Sequence, residues 1–148
     1  MTGVTVTRVD PDESLDDAFD VRRDVFIDEQ GVPENVEYDG KDDEATHFVA
    51  YADGRPVGTA RVRVVGPGVA KVERVAVRAA DRERGVGTAV MERVESWAVD
   101  CDLDRLTLHA QTRVAEFYAA LGYERTGGVF EEAGIDHVAM AKSLDQVS

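Results

Sequence analysis

The segment Arg82-Glu83-Arg84-Gly85-Val86-Gly87-Thr88 leads into a stripe of apolar residues at helical spacing, and its chemistry suits an anion. Two glycines let the backbone approach a ligand closely, and the first turn of a helix offers unpaired N–H groups whose dipole favours negative charge. Arg82 and Arg84 add side-chain charge suited to a pyrophosphate. Tight packing of a strand against a helix would use the same two glycines, so the residues alone leave both readings open. Two familiar phosphate motifs are excluded by spacing. No Lys-Ser or Lys-Thr pair follows a glycine run, and the dinucleotide fingerprint needs its glycines directly after the strand, where Arg78 to Arg84 intervene here.

Proton chemistry has fewer candidates. A tyrosine hydroxyl, with an ordinary pKa of about 10, stays protonated at neutral pH and can donate that proton. Tyr118 carries such a hydroxyl, within a packing stripe with Val114, Phe117 and Leu121. Glu73 shares strand parity with Val75 and Val77 and could take a proton from an attacking ammonium, directly or through water. A strand glutamate is more often solvated or ion-paired. His109 and His137 are further candidates, since imidazole is the side chain suited to moving protons near neutral pH. With His47 they are isolated in sequence, so no metal site is expected.

The elements that must carry these residues read as β, α, β, β, β, α, β, α, β, β. Val4 to Val9 alternates as a strand, and a helix runs from an N-cap at Ser14 through Leu15, Ala18, Val21, Val25 and Phe26 until Gly31 and Pro33. Glu34 to Glu44 is acidic, either a solvated loop or a lining for a cationic substrate. Thr46–Ala52 and Pro56–Val65 form a hairpin about Asp53-Gly54, and Gly66-Pro67-Gly68 turns into a strand at Ala70–Val77. A helical stripe from Val86 to Ala98, a strand at Arg105–Ala110, a helix capped by Gly122, and extended runs at Tyr123–Phe130 and His137–Ala141 complete the order. The unit from Ala70 to Ala110 reads as a right-handed βαβ crossover joining two parallel strands.

The 148 residues fit one domain, 1–148, and 43% hydrophobic content argues against disorder. Aspartate and glutamate number 30 against 17 lysine and arginine, a net charge of −13. Such a chain is repelled by phosphate backbones and anionic lipid, so neither nucleic acid nor a membrane is an expected partner. Only Lys41, Lys71 and Lys142 are lysines, and arginine supplies the rest of the basic charge. We read the carboxylate excess as adaptation to salt, since molar salt shortens the Debye length to about 3 Å and removes self-repulsion. The single cysteine, Cys101, and the lack of an N-terminal signal or a long apolar run point to a cytoplasmic protein.

Arg82-x-x-Gly85-x-Gly87 after Val75-Ala76-Val77 resembles the pyrophosphate motif of the GNAT acetyltransferase superfamily. Gln111 to Tyr123 resembles that superfamily's C-terminal helix. Val25-Phe26, Glu29 to Pro33, Leu108-His109-Ala110-Gln111 and Phe130 to His137 further resemble its ElaA-like branch, so that the likeness spans residues 4 to 142.

The resemblance implies one GNAT-like α/β domain with a mixed central sheet splayed between the fourth and fifth strands and flanked by helices. It implies acetyl-CoA as co-substrate, with pantetheine held by backbone groups of Val75, Ala76 and Val77 and pyrophosphate by amides from Arg82, Glu83, Arg84, Gly85, Val86, Gly87 and Thr88. Gln111 falls where many members have asparagine, and Glu83 where they often have glycine. Tyr118 becomes the acid, Glu73 a candidate base, and an amine of a small molecule or a protein the acceptor. A non-catalytic acyl-CoA-binding sensor or subunit is the alternative. An exposed edge strand would allow a homodimer.

Overall fold

The computed structural model describes residues 3–144; the first two and last four positions of the expected 1–148 domain lie outside them. It is a mixed α/β domain whose seven strands follow the hydrogen-bonded order β1-β2-β3-β4-β5-β7-β6. These are β1 (Val4–Arg8), β2 (Thr46–Ala52), β3 (Arg55–Gly66), β4 (Val69–Val77), β5 (Arg105–Gln111), β6 (Glu124–Glu132) and β7 (Ile135–Ser143). The helices are α1 (Asp16–Arg22), continued by π-helical turns Arg23–Glu29, the short α2 (Glu34–Glu37), α3 (Val86–Asp100) and α4 (Ala115–Ala120). All pairings are antiparallel except β4 with β5, whose parallel register runs from Val69↔Arg105 to Val72↔Leu108 and stops there. By contacts the chain forms two compact units, residues 3–63 with 74–94 and residues 64–73 with 95–144.

The first unit holds β1, β2, most of β3, the end of β4 and the start of α3. Val21 and Val25 from the first helix bury against Ala76 of β4, with Phe26 beside them. Gly58 in β3 allows a close approach, because a Cβ there would meet Val86 Cγ1 at 2.8 Å and the Ala76 carbonyl at 3.3 Å. Ser14 is not the N-cap expected of it, because the helix starts one residue later. Its Oγ accepts from Asp16 N at 3.0 Å while Leu15 occupies the N-cap.

The acidic stretch from Glu34 to Glu44 is largely bound inward. Arg22 and Arg61 are fully buried. Arg22 donates Nε to Glu37 at 2.5 Å and Nη1 to Asp42 at 2.7 Å. Arg61 grips Asp39 with two bonds of 2.8 and 2.9 Å and reaches Asp42 at 3.2 Å. Arg74, on β4, pairs with Glu37 at 2.9 Å and with Asp39 at 3.3 Å. Glu37, Asp39 and Asp42 are therefore paired with buried or half-buried arginines, while Glu34 and Glu44 pair with Arg23 and Arg63 from exposed positions, a difference that the sequence pattern could not show.

The second unit holds the β3–β4 tip, the end of α3, β5, β6, β7 and α4. Leu106, Leu108 and Ala110 alternate inward along β5 as read, and Val138 and Met140 do so along β7. Strands β6 and β7 run further than expected and meet in a two-residue turn, Ala133-Gly134, both left-handed at φ 53° and 76°. An alanine in that conformation is uncommon, so the turn carries no recognisable hairpin signal. Buried Glu95 accepts from Tyr123 Oη at 3.0 Å and from Lys142 Nζ at 2.9 Å, and Lys142 also donates to the Leu121 carbonyl at 2.7 Å. That carbonyl closes the C-terminus of α4.

Burial pushes the His47 imidazole below its ordinary value, and hydrogen bonds from Arg61 hold Asp39 well below the usual carboxylate range. In both cases the unfolded chain takes up the proton first as pH falls. Stability should therefore decline from about pH 6.5 downward through His47, and again below about pH 4 through Asp39. Denaturant titrations between pH 7 and 3 check this. In His47→Gln the first decline should vanish, and a wild-type stability that is flat from pH 7 to 5 would contradict it.

Candidate functional site

The anion-suited segment lies in the first unit. Beyond Val77 the chain turns through a 3-10 helix, Ala79–Asp81, and reaches α3 at Val86. The bond from Ala89 N to the Gly85 carbonyl, 3.0 Å, starts the helix, so the amides of Val86, Gly87 and Thr88 have no partner in the preceding turn. Glu83 and Gly85 are both left-handed, at φ 65° and 80°. Backbone that alternates in this way turns successive N–H groups toward a common point, a shape that binds anions. The residues present thus fit a pyrophosphate held by main-chain donors.

The side chains there divide differently from the expectation. Arg82 is engaged with protein: it donates Nε to the Val77 carbonyl at 3.0 Å and its two terminal nitrogens to Glu29 at 2.6 and 2.7 Å. The bond to Glu29 raises its pKa further. Arg84 is more exposed and reaches Asp81 Oδ1 at 3.2 Å. Arg55, at the start of β3, meets the same oxygen at 3.3 Å. Asp81 is buried, and its other oxygen has no hydrogen-bond partner among the described residues. Arg55 was not singled out from the sequence, since nothing in the spacing of residues 55 and 84 links them. Their shared carboxylate does.

Just before this turn, β4 carries an irregularity the sequence did not announce. Arg74 is left-handed, at φ 55°, a conformation that costs a non-glycine residue roughly 1–2 kcal/mol. Its guanidinium, pairing with Glu37 and Asp39 and donating to the carbonyls of Val36 and Glu37 at 3.2 Å, fixes that bend. After it, Ala76 is buried while Val75 and Val77 stay partly exposed.

The second unit holds the other candidates. Tyr118 is 7% exposed, with its ring edge-on to Phe117 at 4.9 Å and to Tyr123 at 5.9 Å. Its hydroxyl has no hydrogen-bond partner among the described residues. Burial raises its pKa above that of an ordinary phenol, so it stays protonated. The ring thus packs as the apolar stripe implies. Glu73 lies 3.4 Å from Lys71 Nζ, an ion pair between neighbours on one strand face. Gln111 Oε1 accepts from Arg113 Nε at 3.0 Å. His109 and His137 meet Glu132, while His47 belongs to the ion cluster of the first unit.

Comparison with known proteins places this geometry. Residues 9–144 match the acetyltransferase (GNAT) domain family, and the chain belongs to that family. It is 39% identical over 132 residues to YjcF, an uncharacterized N-acetyltransferase of Bacillus subtilis, covering 88% of this chain and 94% of that protein. A crystal structure from Lactobacillus plantarum, named as an N-acetyltransferase, superposes with a TM-score of 0.87 at 28% identity, over 96% of this chain and 99% of that one. ElaA of Escherichia coli superposes at 0.83 with 25% identity, over 94% and 99%. The chain is thus an acetyltransferase of the GNAT family, similar in fold to ElaA. Among the described residues, no helix is long and apolar enough to cross a membrane, and no group of three or more His, Cys, Asp or Glu is arranged to hold a metal.

At Glu83 the carboxylate opposes an anion, and the left-handed backbone is strained for a residue with a side chain. Glu83→Gly should relieve about 1 kcal/mol of backbone strain and remove a like charge from the turn. We expect CoA to bind several-fold more tightly by calorimetry, with the same or higher melting temperature. Weaker binding would mean that the carboxylate orders the turn.

Proposed function

We propose that this chain transfers an acetyl group from acetyl-CoA to an amine by direct attack in a ternary complex. The observation that carries the reading is the left-handed pair Glu83 and Gly85 delivering three helix-start amides at the head of α3, in a chain of this family. In this reading the amides of Arg82 to Thr88 take the pyrophosphate, and Arg84 and Arg55 supply charge beside them. Backbone groups of Val75, Ala76 and Val77 hold the pantetheine. The Val77 N–H polarises the acetyl carbonyl, a role that needs a fixed dipole and no particular side chain. Gln111 stands with the cofactor contacts, as its place in the family pattern implies.

The amine nitrogen forms a bond to the thioester carbon, and the carbon–sulfur bond then breaks with its electron pair on sulfur. Tyr118 donates its hydroxyl proton to that thiolate. Burial raises the phenol, and a thiolate developing in the same dry surroundings is raised by the same cause, which keeps the transfer matched. Glu73 is the base nominated by the sequence for the ammonium proton. The acceptor is an amine of a small molecule or of a protein.

The salt reading belongs here as well. A charge of −13 with arginine in place of most lysine supports a cytoplasm of high ionic strength as the working environment. The melting temperature should rise between 0.1 and 2 M KCl, and a flat or falling response would remove this part of the proposal.

The activity is tested by incubating the protein with acetyl-CoA, a panel of primary amines and a thiol-reactive dye in high salt. Amine-dependent CoA release supports transfer. Binding without release favours a sensor, and no binding removes both. Tyr118→Phe should lower kcat about 100-fold with little change in CoA affinity, as for loss of a general acid; unchanged turnover would take Tyr118 out of the mechanism.

A further inference from the structure

The sheet face carrying Glu73 holds a second acid–base group. Paired residues on neighbouring strands present their side chains to the same face. The pairs Lys71↔Thr107, His109↔Ala139, Gln111↔His137, Phe130↔His137 and Glu132↔Ile135 therefore set Lys71, His109, His137, Phe130 and Glu132 on one side. Leu106, Leu108 and Ala110 bury on the other. The parallel pairing of β4 with β5 ends at Val72↔Leu108, so Glu73 and His109 are the first residues past it on their strands. By strand alternation both belong to that face.

Glu132 joins the two histidines. Its Oε2 lies 3.3 Å from His109 Nδ1 and its Oε1 3.9 Å from His137 Nε2. His137 is anchored from behind, its Nδ1 donating to the Ile135 carbonyl at 2.7 Å. The Phe130 ring meets His109 edge-on at 4.9 Å and stacks with His137 at 6.1 Å, walling both imidazoles. His137 is nearly closed off, at 10% side-chain exposure, whereas His109 is 31% exposed. When Nδ1 of His109 donates to Glu132, its Nε2 is left with a lone pair and no hydrogen-bond partner among the described residues. A carboxylate fixing the tautomer so that the far nitrogen accepts a proton is the arrangement of a histidine base.

We propose that His109 is the base that removes the acceptor's ammonium proton, with Glu132 as the positioning carboxylate that sets its ring. The inference rests on the acetyl-transfer reading above and assigns its missing base. The ammonium N–H bond breaks, the proton passes to His109 Nε2, and the freed electron pair on nitrogen forms the bond to the acetyl carbon. The carbon–sulfur pair leaves with CoA and sulfur takes a proton from Tyr118; the acylated nitrogen gives up its second proton, which restores the phenol through water, and the imidazolium returns its proton to solvent. Glu73, held by Lys71, contributes charge to the same face.

The test uses two small acceptors that differ in whether a base is needed. Ethylamine is an ammonium at neutral pH, whereas hydroxylamine is largely free base and attacks without losing a proton first. CoA release by the full chain is measured with each, after subtraction of the uncatalysed rate. His109→Gln should lower kcat with ethylamine by about 100-fold or more and with hydroxylamine by only a few-fold. Glu132→Gln should show the same selectivity at about a tenth of the size, with KM for acetyl-CoA unchanged. Equal losses with both acceptors, or none, would overturn the proposal, as would a selective loss in Glu73→Gln and not in His109→Gln. If the wild type binds CoA and accelerates neither acceptor, acetyl transfer itself fails, and the base assignment with it.

Discussion

Buried guanidinium groups hold the first unit together. Arg22 and Arg61 are fully enclosed, and an uncompensated charge at such a position would cost several kcal/mol. Each has its carboxylates in place: Glu37 and Asp42 for Arg22, Asp39 and Asp42 for Arg61. Those acids come from the end of α2 and the segment that leads from it to β2, which has little apolar content to bury, so the arginines give it a fixed path. Arg74 joins the same carboxylates, and its left-handed backbone is the bend that sends β4 toward the anion-suited turn. The shape of β4 is thus tied to ion pairs that begin in the first helix.

Much of this was legible from spacing alone. The strand and helix order followed from hydrophobic periodicity, because β5 and β7 alternate cleanly and α3 keeps its stripe. The glycines at 85 and 87 marked the turn into α3, since their backbone freedom and the helix that follows are both local properties. The ion cluster was not legible. Glu37 and Asp39 look no different in sequence from exposed acids in a chain of this charge, and only the three-dimensional return of Arg61 and Arg74 separates them. Arg74 and Ala133 also adopt left-handed backbone without being glycine or asparagine, so local rules give no warning of either. Arg82 shows the converse, a motif residue whose side chain is engaged by Glu29 53 positions away in the chain.

The candidate reacting groups differ in how their surroundings prepare them. Tyr118 is buried with a hydroxyl that bonds nothing described, so its proton is retained for want of a partner. His109 is oriented by one. Both lie in the second unit, on the strand and helix that follow α3, where side chains are set by regular elements rather than by loops. The turn before α3 instead offers main-chain donors, which tolerate variation in side chain, so that Glu83 can occupy a position that a glycine would fill more comfortably.

The outermost strand β6 has one further effect. Its register with β7 slips between Arg125 and Val129, across Gly127 and Gly128. Much of the strand lies open to solvent, including Val129 at 59% exposure. A straight exposed edge would offer a ladder of unpaired donors and acceptors to any passing chain, and a bulge breaks the spacing that such a ladder needs. The opposite edge, β1, is only five residues long. Neither border presents a long regular template, so the sheet is guarded against open-ended strand addition, the step from which fibrous aggregates grow.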